Sequence, residues 1–122
     1  MATIMIVDDS NYTRRTHRRI LESDGHVVSE AASGMAALES YFVERPDVVL
    51  LDLTMEDMSG LDVLARLREM ESGARVIVVS ADVQRSTAQL AADAGAVRFL
   101  GKPVSPEALL GTVRDVLAEY AP

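Results

Sequence analysis

Two apolar runs of this chain end in acids: Thr3-Ile4-Met5-Ile6-Val7 runs into Asp8-Asp9, and Val48-Val49-Leu50-Leu51 into Asp52. A third run, Arg75-Val76-Ile77-Val78-Val79, stops at Ser80, and a fourth, Ala96-Val97-Arg98-Phe99-Leu100, leaves through Gly101-Lys102-Pro103. Three carboxylates, a hydroxyl and an ammonium suit phosphoryl chemistry, in which a cation and a lysine neutralise phosphoryl oxygens while a carboxylate attacks. An acid placed where an interior strand leaves the core pays desolvation unless something compensates, which makes Asp52 the leading site candidate.

These residues need elements to position them. The first run is a strand, and Ser10 or Asn11 then caps a helix reaching about Ser23, before Asp24-Gly25. Val27 and Val28 mark a short second strand. Ser33-Gly34 opens a helix through Ala36, Ala37, Leu38, Tyr41 and Phe42, and Pro46 separates it from the third strand. Ser59-Gly60 starts a helix with Leu61, Val63, Leu64 and Leu67 inward; the strand ending at Ser80 follows, then an alanine-rich helix from about Val83 to Ala94. Ser105-Pro106-Glu107, after the fifth strand, is a strong helix start: a capping hydroxyl, a proline at the first turn and an acid against the dipole.

Five strand-then-helix units with no leftover segment predict right-handed crossovers and a parallel sheet covered on both faces, in one domain spanning residues 1–122. In such sheets the ligand site lies beyond the carboxyl ends of the strands, where strand order reverses. With the order 2-1-3-4-5, strands one and three are neighbours, so Asp8, Asp9 and Asp52 crowd one crevice. Like charges this close need a cation or shared protons. Mg2+ is the natural candidate, with Mn2+ an alternative, because magnesium takes one or two carboxylates and leaves positions for phosphate oxygens.

The bulk composition narrows the rest. A net charge of -7 repels nucleic-acid backbones, so no direct nucleic-acid partner is expected. The absence of cysteine excludes disulfides, thiolate metal sites and thiol nucleophiles and fits a reducing cytoplasm; no apolar run has membrane-spanning length, and no signal peptide is evident. Arg14, Arg15, Arg18 and Arg19 form a basic ribbon on the first helix, most simply a solvated face, alternatively in part a dock for a partner helix.

Asp8-Asp9, Asp52, Gly60 eight positions later, Ser80-Ala81 and Lys102-Pro103, at successive strand ends, make the chain resemble a response-regulator receiver domain of the single-domain, CheY-like kind. The resemblance implies a flavodoxin-like, doubly wound, three-layer α/β/α fold. It implies that Asp52 accepts a phosphoryl group from a sensor histidine kinase or histidine phosphotransfer protein, with Asp9 binding the cation directly, Asp8 directly or through water, and the Thr54 backbone carbonyl as a further ligand. It also implies that Ser80 and Phe99 form the switch, that the Lys102–Pro103 bond is cis, and that the output passes to a downstream effector protein. The chain would then be no enzyme beyond catalysing its own phosphorylation and dephosphorylation.

Two positions depart from the family's pattern: Glu56 stands where proline is frequent, and Phe99 lacks a tyrosine's hydroxyl. Thr54 and Asp82 occupy positions that tune phosphate lifetime in similar proteins. Simpler roles compete for each residue: a turn and helix cap for Asp8-Asp9, a helix cap for Ser80, a surface lysine for Lys102, a core or rim aromatic for Phe99. Rival functions are a phosphatase or phosphotransferase with an aspartate nucleophile, disfavoured by Thr54 where such enzymes carry a second acid; a flavin-binding module, disfavoured by the anionic Asp8-Asp9 loop; and a degenerate docking scaffold, disfavoured by the complete residue set.

Overall fold

A computed structural model describes residues 2–71 and 73–119. The apolar runs form five parallel strands: β1 (Thr3–Val7), β2 (Val27–Ala31), β3 (Val48–Asp52), β4 (Val76–Ser80) and β5 (Arg98–Gly101). They join one sheet in the order β2-β1-β3-β4-β5. Between and after them lie α1 (Asn11–Ser23), α2 (Gly34–Glu44), α3 (Gly60–Met70), α4 (Arg85–Asp93) and α5 (Pro106–Glu119).

Strand periodicity divides the core into two layers. Ile4, Ile6, Val48, Leu50, Ile77 and Val79 pack with Leu21 of α1 and with Leu109, Val113 and Val116 of α5. Met5, Val7, Val49, Leu51, Val76 and Val78 face the other way, onto Ala37 and Tyr41 of α2, Val63, Leu64 and Leu67 of α3, and Ala91 of α4. Every residue of β3 and β4 is buried, as expected of central strands covered on both faces. Truncating a side chain such as Leu64 or Leu109, both fully buried, would cost about 2–5 kcal/mol.

The helix starts are set by serine. Ser10, Ser33 and Ser59 each accept a backbone N–H with the side-chain oxygen, from Thr13, Ala36 and Asp62, and Ser105 does the same for Ala108. The ends differ. Gly25, at φ +85°, turns the chain out of α1, whereas α2 stops at Arg45, held at φ 48° without being glycine.

Several boundaries depart from expectation. β2 runs three residues past Val28 because Ser29, Glu30 and Ala31 complete the ladder with Met5, Ile6 and Val7. The fourth and fifth strands each end one residue later, at Ser80 and Gly101, which pair with each other. Helix α4 begins at Arg85, not Val83: Ser80 and Asp82 hold the preceding residues in a turn, and Gln84 caps the helix without a side-chain hydrogen bond. Ser80 is therefore not a helix cap.

Candidate functional site

The register that builds the core also builds the site. Val7 pairs with Leu51, so the next residues, Asp8 and Asp52, emerge side by side from the two central strands. Both are buried, at 4% and 6% exposure, while Asp9 is exposed. One carboxylate oxygen from each of the three lies within 4.8 Å of the others. The Lys102 ammonium reaches the cluster from the end of β5, 3.0 Å from Asp8 Oδ2 and 3.6 Å from Asp52 Oδ1. The lysine therefore leans on Asp8 more closely than on Asp52. Its backbone N–H donates to the Ser80 carbonyl at 2.8 Å, which fixes the backbone at the end of β5; the Lys102–Pro103 peptide is cis.

Burial chiefly raises the Asp52 pKa above the ordinary carboxylate range, and the charges of Asp8 and Asp9 act in the same direction. Lys102 and the Thr54 N–H, 3.4 Å from Asp52 Oδ1, oppose that shift. Asp8 is braced separately: its Oδ1 accepts the Ser10 N–H at 2.9 Å and its carbonyl accepts from Arg14 Nη1 at 2.6 Å.

Three carboxylates against one lysine give the crevice an excess of acid, a deficit of positive charge that a divalent cation fills. The donor set is all oxygen, with an exposed acid on the open side, and it fits magnesium, a hard ion that keeps several waters.

The remaining candidates surround this centre. The Ser80 hydroxyl, fully buried, accepts the Asp82 N–H at 3.0 Å. Asp82 in turn accepts from the Thr87 hydroxyl at 2.7 Å and the Gln84 N–H at 3.1 Å, chiefly the former lowering its pKa. Phe99 is half-buried and packs on the α2/α3/α4 side; it pairs in register with Val78, so it lies on the sheet face that Ser80 continues. Thr54 is exposed at the mouth. Gly60 is required by close approach: a Cβ there would lie 2.3 Å from the Asp52 carbonyl oxygen and 2.5 Å from Leu53 Cα.

Three contributors have no periodic signature in the sequence. Glu30, on the edge strand, holds Arg14 and Arg18 at 3.0 and 2.7 Å and splits the arginine ribbon in two. Arg15 and Arg19 are exposed and have no ion-pair partner among the described residues. His17, buried in α1, has its pKa lowered by burial first and by the Lys102 charge second. It lines a groove of about 470 Å³ beside the site, with Tyr12, Thr13 and Thr16 on one wall and Lys102, Pro103 and Val104 on the other. Asp57, in the loop after β3, accepts the N–H groups of Gly34 and Met35 at 3.0 Å each. An acid immediately before Met58-Ser59 could have been flagged as a turn residue, but not as a contact to α2.

Residues 4–114 match the family described as response regulator receiver domain. The chain is 36% identical over 115 residues to the chemotaxis protein CheY of Bacillus subtilis, covering 93% of this chain and 96% of that one. It is 31% identical over 119 residues to sporulation initiation phosphotransferase F of the same organism, covering 98% and 93%. A CheY-like response regulator receiver domain from Methanospirillum hungatei superposes with a TM-score of 0.93 at 28% identity, covering 98% of this chain and 96% of that one.

Proposed function

The chain belongs to the response-regulator receiver family, and on that basis we propose that it is a phosphorylation switch whose acceptor is Asp52. The observation that carries this reading is the placement of Asp52: buried at the end of β3, within 4.8 Å of two further acids, and 3.6 Å from a lysine ammonium. In the reaction, an Asp52 carboxylate oxygen attacks the phosphorus of a phosphohistidine on a kinase or phosphotransfer protein. An O–P bond forms as the N–P bond breaks, and the imidazole leaves with the electron pair and takes a proton from solvent.

Asp8, Asp9, Asp52 and the Thr54 carbonyl would hold the divalent cation. When bound, magnesium supplies positive charge to the phosphoryl oxygens. The chain's own residues do the rest. Lys102, already beside Asp52, neutralises a phosphoryl oxygen, and its attraction draws the Asp52 pKa down against the larger upward push of burial. The Ser80 hydroxyl already accepts from Asp82, so its own proton is free to be donated to a phosphoryl oxygen. Phe99, on the same side of the sheet, would repack as Ser80 turns, passing the change to an effector protein at α4 and β5.

The donor would enter over the groove between α1 and the loop after β5, beside the exposed Arg15 and Arg19. The protein would act in the cytoplasm and turn over no substrate beyond its own phosphoryl group; no helix among the described residues is long and apolar enough to cross a membrane. The test is intact mass after incubation with magnesium and a small-molecule phosphodonor. A single phosphoryl adduct is expected for the wild type and none for Asp52→Asn; an adduct on both variants refutes the acceptor assignment.

A further inference from the structure

On the cation reading above, the loop from Leu53 to Ser59 has to place the Thr54 backbone oxygen beside three acids, yet its composition gives it little stiffness. Glu56 stands at its tip in place of a ring-constrained proline, and Thr54, Glu56 and Asp57 are all exposed. The base of the loop is pinned: Gly60 donates its N–H to the Leu53 carbonyl at 2.8 Å and lies against the Asp52 backbone. The tip is not pinned from there. The Thr54 N–H donates to Asp52 Oδ1 at 3.4 Å, and among the described residues the hydrogen bonds that tie residues 55–58 to another part of the fold are those of Asp57, whose two carboxylate oxygens accept the Gly34 and Met35 N–H groups at 3.0 Å each.

That contact complements the cap of α2: Ser33 accepts the Ala36 N–H at 3.1 Å, and Asp57 takes the Gly34 and Met35 N–H groups that Ser33 leaves. The two N–H groups belong to the first turn of a helix, where the dipole favours an anion, and these hydrogen bonds are charge-assisted. The packing is built around them. Met58 sits directly on Gly34, where a Cβ would lie 2.3 Å from Met58 Cγ and 2.8 Å from Val63 Cγ2.

We propose that Asp57 is a positioning residue: its double hydrogen bond to the start of α2 fixes the Thr54–Met58 loop, and so the backbone oxygen that joins Asp8, Asp9 and Asp52 on the cation. It supplies the restraint that a proline at position 56 would otherwise give. This rests on the cation reading above and adds the element that prepares the site.

The test is a magnesium chloride titration of the full chain, followed by calorimetry and backbone amide shifts, with thermal unfolding recorded for every variant. Asp57→Ala should weaken magnesium binding roughly tenfold, the scale on which groups that orient a ligand matter. Asp57→Asn, which keeps one acceptor oxygen, should fall between. Ser33→Ala also weakens the start of α2 but leaves the loop tied, so it should lower the melting temperature with magnesium affinity unchanged. Adding Glu56→Pro to Asp57→Ala should recover most of the lost affinity. Wild-type affinity in Asp57→Ala, an equal loss in Ser33→Ala, or no recovery with Glu56→Pro overturns the proposal. A wild type that binds no magnesium instead overturns the cation reading on which it stands.

Discussion

Replacing Asp52 with asparagine should make the metal-free protein more stable, although it removes a partner of Lys102. At an effective dielectric constant of about 20, the Lys102–Asp52 attraction at 3.6 Å is worth roughly 4.6 kcal/mol, and repulsion from Asp8, no farther than 4.8 Å, at least about 3.5 kcal/mol. Asp9 is exposed, and at a dielectric near that of water it adds only about 0.9 kcal/mol. The charge terms nearly cancel, so the desolvation of a carboxylate at 6% exposure decides the balance. Removing that charge should gain about 1–2 kcal/mol. For a chain of 122 residues this is a rise of roughly 4–8 °C in melting temperature.

Two controls follow from the same physics. Asp52 has a raised pKa, so its protonated form favours the fold; that contribution is complete below the unfolded value of 3.8 and is lost as pH rises through the folded value. The advantage of Asp52→Asn should therefore shrink as pH is lowered through that window. Magnesium should close the gap from the other side, since a ligand at 100 times its Kd stabilises by about 2.7 kcal/mol and the variant has lost a ligating oxygen. Calorimetric melting with and without magnesium is the assay. A metal-free Asp52→Asn less stable than wild type, or a magnesium response equal in both, refutes the reasoning.

Lys102→Ala should bind magnesium several-fold more tightly than wild type while accepting phosphate more slowly, because the lysine competes with the cation for Asp8 and Asp52; calorimetry and donor kinetics separate the two effects. Gly60→Ala should destabilise by about 3 kcal/mol in urea unfolding, since the added methyl meets backbone rather than a yielding side chain. Arg15→Glu with Arg19→Glu should slow transfer from the cognate kinase and leave a small phosphodonor unaffected, whereas equal slowing of both would exclude docking. Arg14→Glu should instead lower the melting temperature, because Arg14 is tied to Glu30 and to the Asp8 carbonyl.

The strands were legible from local pattern, and the meeting of Asp8, Asp9 and Asp52 followed once the resemblance supplied the strand order. Apolar runs bounded by charge mark parallel strands, and pairing strands one and three brings their terminal acids together. The missed features depend on partners distant in the chain. Ser29 and Glu30 do not look like strand residues, and it is the neighbouring β1 that makes them so. Ser80 followed two residues later by an acid suggests a helix cap as readily as the turn it forms, and only the late start of α4 separates the two. The four arginines fall into pairs of identical spacing, but an edge-strand glutamate decides which pair is held. Asp57 reaches 23 residues back to Gly34, and no periodicity reports such a contact.

The hydroxyl of Ser80 is kept in its resting orientation by one neutral hydrogen bond, the 3.0 Å contact from Asp82. A bond of that kind is worth about 1 kcal/mol, a bias of only about fivefold. On the switch reading proposed above, that bias leaves roughly one molecule in six with Ser80 already turned before any phosphate arrives. A pathway using this protein would then receive a standing background output, and its dynamic range would be set as much by how quiet the unmodified form is as by how completely it is phosphorylated.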